Sequence, residues 1–99
     1  MKSKRDIEMN FSRAVAQAQE LEEISKELSA IATAHMAGAL EMLSISWKGD
    51  NAINFNKKGK VITEEMLDTA DDIIKVANSI QSTARLIYNA EKAALQLGL

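Results

Sequence analysis

Apolar residues recur along this chain of 99 residues at alternating intervals of three and four, the spacing that keeps side chains on one face of an α-helix. In the first half the series is Leu21, Ile24, Leu28, Ile31, His35, Gly38, Met42 and Ile45, extended upstream through Phe11, Ala14 and Ala18. The second half gives Ile62, Met66, Thr69, Ile73, Val76, Ile80, Ala84 and Ile87. A parallel stripe of Leu67, Ala70, Ile74, Ala77, Ala84 and Tyr88 runs beside it. No proline interrupts the chain, and glycine stands only at Gly38, Gly49, Gly59 and Gly98, so helices can run long. The pattern predicts an all-α fold: two antiparallel helices over about 7–46 and about 51–96, reversing at about 47–50, as one helical hairpin domain over 1–99.

The reversal is placed by residue chemistry. Gly49 relieves the Cβ restriction at a helix end, and Asp50 or Asn51 can accept a hydrogen bond from the free N–H groups that open the next helix. Trp47 falls in the last turn before the reversal, where its indole can pack across the mouth of the hairpin. A second start signal lies downstream, since Thr63 followed by Glu64 and Glu65 resembles a helix N-terminus, which leaves 51–62 open as a short separate helix or loop.

The double stripe of the second half is wider than one neighbouring helix can cover, and a chain this small buries too little apolar surface to stand comfortably alone. A helix of roughly 38 residues is about 57 Å long, which offers an extended pairing surface. A second hairpin would complete an antiparallel four-helix bundle, as a dimer or heterodimer. The partner interface is expected at Leu28, Ile31, His35 and Met42 on the first helix, and at Met66, Ile73, Ile80 and Ile87 on the second.

Composition removes other classes. The net charge of −2 and pI near 5.4 give no basic field for phosphates, so no nucleic-acid partner is expected. The chain has no cysteine for a disulfide or thiolate chemistry. Lys2, Lys4 and Arg5 are followed by Asp6 and Glu8 where a signal peptide needs an apolar stretch, and no apolar run is read as long enough to form an integral membrane segment. His35 has Ile31 and Ala39 where a second metal ligand would stand, and Asp68, Asp71 and Asp72 lack a glycine-bearing calcium loop, so no metal or other cofactor is expected. Ser44 and Ser46 beside a lone histidine lack an orienting third group, so the chain is read as no enzyme. Lys57, Lys58 and Lys60 around Gly59 are read as a solvated cluster, with contact to an acidic partner surface as the alternative.

Trp47-Lys48-Gly49 at the centre, Ala52 and Phe55 on the following helix, and two amphipathic halves in a chain of this length resemble the WXG superfamily of early-secreted-antigen-like proteins. The resemblance covers essentially the whole chain. It implies a helical hairpin that forms homodimers or heterodimers and serves a type VII secretion system as substrate or substrate partner, cytoplasmic before export and then extracellular without a cleaved signal peptide. Trp47, Gly49 and Phe55 would belong to the recognition motif. Many members add a tyrosine followed four residues later by an acidic residue near the end of the second helix. Here the sole tyrosine, Tyr88, has Lys92 in that place, and the nearest acidic residue gives a Tyr88-x-x-Glu91 pair instead. That departure is similar to small companions that bind the targeting domain of a larger LXG-type toxin and share its export signal. The companion role is expected ahead of an autonomously secreted homodimer, with a generic helical regulatory or structural subunit as the rival outside the family.

Overall fold

The computed structural model describes residues 2–98. Among these the chain is almost wholly helical and contains no strand: α1 spans Lys4–Ala30, a π-helical segment Ile31–Met36 follows, α2 spans Ala37–Ser46, and α3 spans Asp50–Gln96. The first helix therefore begins a few residues ahead of the expected 7. Ser3 explains the early start: its Oγ accepts the Asp6 N–H at 3.2 Å while the Asp6 carboxylate accepts the Ser3 N–H at 3.3 Å, a reciprocal cap that satisfies two otherwise free donors. The second helix does not restart at Thr63. That hydroxyl donates back to the Gly59 carbonyl at 2.9 Å inside an unbroken helix, so 51–62 is neither loop nor separate helix.

The chain forms two compact units, one joining the residues up to Glu22 with those from Ile74 onward, the other made of Glu23–Ile73. In the first unit, Phe11 stacks on Tyr88 with ring centroids 4.5 Å apart, Glu8 accepts from Tyr88, Glu22 from Gln81, and Lys2 pairs with Glu91. Partner numbers fall as α1 advances, so the two segments of this unit run in opposite directions. Its fully buried residues on the contact line are Ala18 and Ala77, both at 0% exposure.

The second unit repeats the arrangement. Ser25 Oγ donates to the Ala70 carbonyl at 2.7 Å, and Ala32, Ala52 and Ala70 are buried with it. A side-chain hydroxyl can reach a main-chain carbonyl on the facing helix only where small residues let the backbones approach. Ser25 and Ala32 stand seven residues apart, the period of a close-packed helical seam. Of the larger apolar side chains, only Ile7 in the first unit and Leu40 in this one are buried among the described residues.

Beyond Ala32 the expected first-half stripe does not continue as one face. The next buried residue is Leu40, eight positions on, because the π-helical segment takes up one extra residue. Everything after it is turned about the helix axis relative to an uninterrupted α-helix. Leu40 packs against Gly59, where a Cβ would collide with the Leu40 methyls. His35, Met42 and Ile45, expected in line with Leu28 and Ile31, are exposed, Met42 at 72% and Ile45 at 69%.

One stretch within Lys4–Ser46 is long and apolar enough to cross a membrane by length and composition alone. This corrects the expectation that no such run exists. The passage is rich in Ala, Leu and Met, and a helix covered by other protein passes the same test.

Candidate functional site

The turn residues come together in the second unit. Trp47 ends α2 with extended backbone, φ −120° and ψ 121°, and its N–H donates to the Leu43 carbonyl at 2.8 Å. Gly49 has φ +111°, a conformation that side chains with a Cβ rarely adopt, and its carbonyl accepts the Ile53 N–H at 3.1 Å to open α3. Asp50 stands in that first turn, where a carboxylate is favoured by the helix dipole. The Trp47 indole meets Phe55 edge-on, centroids 5.7 Å apart and planes at 60°, yet both rings stay exposed, at 43% and 50%. Trp47 is thus not a buried plug. It presents an aromatic edge pair to solvent.

Tyr88 and Glu91 lie in the first unit and are tied to different partners. The Tyr88 hydroxyl donates to Glu8 Oε1 at 3.0 Å, while Lys92 Nζ donates to the Tyr88 oxygen at 3.2 Å and to Glu8 at 3.4 Å. The ammonium also stands 5.2 Å from the Tyr88 ring centroid. The Tyr88 hydroxyl foremost, then Glu8, raises the Lys92 pKa above its ordinary 10.5. Glu91 instead meets Lys2 at 3.2 Å. The sequence pattern gives neither Glu8 nor Lys92 as a partner of the Tyr88 hydroxyl. Only the fold brings Glu8 beside a residue 80 positions away.

The apolar stripes of the second half divide their work. Ala70, Ala77, Ala84 and Tyr88, from the parallel stripe, line the contact with the first helix. The other stripe flanks that contact: Met66, Ile73 and Ile80 are half-buried, and Ile62, Val76 and Ile87 are about half exposed. In the first unit, Val76, Ile80, Thr83 and Ile87 border a groove of about 500 Å³ whose other wall includes Ala14. In the second unit, Leu28 is half-buried and Ile24 and Ile31 are exposed. The opposite flank of the first unit is closed by polar ties, Gln81 to Glu22 and the Glu8, Tyr88 and Lys92 cluster. In the first unit one flank is therefore closed by polar ties, and the other is apolar and open.

Among the described residues no three His, Cys, Asp or Glu side chains group as metal ligands. His35, Asp68, Asp71 and Asp72 are exposed, as are Lys57, Lys58 and Lys60. No protein-family model, curated protein or solved structure matches this chain.

Proposed function

We propose that the chain is a non-enzymatic helical hairpin whose open flank pairs with a second helical hairpin, giving an antiparallel four-helix bundle. One observation carries this reading: each unit closes mainly on small residues, while Ile24, Ile31 and Ile62 in one and Val76 and Ile87 in the other stay about half exposed. At roughly 25 cal/mol per Å² of apolar surface removed from water, covering such side chains is the largest stabilisation still open to the molecule. A small domain without a large internal core has the most to gain from it.

The resemblance of Trp47-Lys48-Gly49 and Phe55 to the WXG pattern gives the pairing its context. The chain acts in a type VII secretion system, as companion to the targeting domain of a larger LXG-type toxin. The exposed Trp47 and Phe55 edge pair is the surface a recognition element requires. The Tyr88 hydroxyl and Glu91 are both engaged within the hairpin, which fits an export signal supplied by the partner. The companion is cytoplasmic before export and leaves the cell with its partner. An autonomously secreted homodimer is the second reading, because every copy carries the same open flank and can pair with itself about a twofold axis.

The test is a tagged chain isolated from its native cells, combined with deletion of its gene. Stoichiometric recovery of a larger protein with a helical N-terminal domain, and loss of that protein from the medium on deletion, supports the companion role. Recovery of the chain alone as a dimer in the medium supports the homodimer. Recovery of neither, with export unaffected, refutes the secretion reading.

A further inference from the structure

Five positions seven residues apart on the first helical stretch carry small side chains: Ala18, Ser25, Ala32, Ala39 and Ser46. The first three are buried, as a close-packed seam demands, but Ala39 is exposed and Leu40 occupies the next contact place. Between them lies the π-helical segment Ile31–Met36, which holds the one residue by which the observed contacts depart from the sequence period. Were that segment α-helical, each following residue would take the place now held by its successor. Ala39 would then replace Leu40, Met42 would replace Leu43, and Ile45 would replace Ser46.

We propose that Ile31–Met36 is a register switch, through which the chain exchanges between the π register and a continuous α register with Ala39 against Gly59. Leu40 stands so close to Gly59 that no Cβ fits there, so the two are matched in the π register and an alanine at 59 selects against it. One further feature of the second unit marks that register as imperfectly satisfied. The Asn56 Oδ1 is buried without a hydrogen-bond partner, which opposes folding in that register. The α register also brings Met42 and Ile45 into line with Leu28 and Ile31, extending the open apolar flank toward the turn. Resting on the pairing reading above, this makes the covering hairpin the ligand of the switch: in the α register it meets Ile45 where the π register offers Ser46, and such differential contact is what shifts a two-state equilibrium.

The test uses Gly59→Ala in the full chain and in a second background in which Ala34 is deleted. The deletion removes the extra residue and fixes Leu40 in its observed place with ordinary α geometry. Given a switch, Gly59→Ala is tolerated in the parent, which moves to the α register. In the deletion background it has no escape, and the change in melting midpoint is worse there by more than about 5 °C. Equal changes in both backgrounds mean that Leu40 swings its methyls aside in a single register, and overturn the proposal. A second measurement needs no deletion: Trp47, the sole tryptophan, lies beyond the switch and turns with it, so Gly59→Ala shifts its emission. An unchanged spectrum in a folded Gly59→Ala protein also overturns the switch. Both measurements use the free chain, so they can fail with the pairing reading intact, and that reading fails separately if native cells yield no helical partner.

Discussion

Ser25 offers the sharpest test of how this molecule is held together. It is 4% exposed, and its hydroxyl donates to the Ala70 carbonyl at 2.7 Å. In Ser25→Ala the small volume is kept and one neutral hydrogen bond is lost. The Ala70 carbonyl, inside α3, keeps its helical partner, so no buried acceptor is orphaned and the loss is about 1 kcal/mol. Ser25→Leu loses the same bond and also forces three additional carbon atoms into a contact built on Ala32, Ala52 and Ala70. Overpacking of that kind costs about 1–3 kcal/mol beyond the bond. For a chain of this size each kcal/mol shifts the melting midpoint by about 4–8 °C, so the alanine variant should fall by a few degrees and the leucine variant by about 10 °C or more. The assay is thermal unfolding followed by circular dichroism at 222 nm, at one fixed protein concentration because self-association also moves the midpoint. A Ser25→Leu protein as stable as the parent would falsify the close-approach seam. It would mean that the helices are held by their larger apolar residues instead.

Three other outcomes are expected. Val76→Glu combined with Ile80→Glu, on the open flank, should leave helix content nearly intact while abolishing pairing in sedimentation; unfolding of the free chain by this pair would place those residues in its own core. Trp47→Ala with Gly49→Ala should block export of the chain or its partner while the complex still forms. The alanine at φ +111° is strained and the loss of Trp47 removes its contact with Phe55, so melting curves must accompany the secretion assay, and normal export by the folded variant refutes recognition through the turn. The Lys92 pKa is raised in the folded chain, so its contact with Tyr88 and Glu8 stabilises fully below 10.5 and is lost as pH rises through the higher folded value. Comparing Lys92→Met with the parent from neutral pH to beyond that range should show a stability difference that closes at high pH; a gap that widens instead rules out the contact.

The amino-acid sequence by itself determined the helical class, the helix break beside Gly49 and the surplus of apolar surface. These follow from local chemistry: a period of three and four, absence of proline, and a glycine where the backbone needs positive φ. It also carried both stripes of the second half. Which stripe would close the molecule was decided only in three dimensions, because the small side chains of Ala70 and Ala77 allow backbones to approach where Ile73 and Ile80 would hold them apart. Ser25 and Ala32 show the same selection on the first helix. The pairing of Glu8 with Tyr88 and Lys92 joins residues too distant along the chain for any local pattern to reveal. The π-helical segment lay furthest from view. Ala39 continues the small-residue period and Leu40 does not, yet Leu40 is the residue buried, because a side chain reaching across to Gly59 fills space that alanine leaves empty and one π turn supplies the rotation to bring it there.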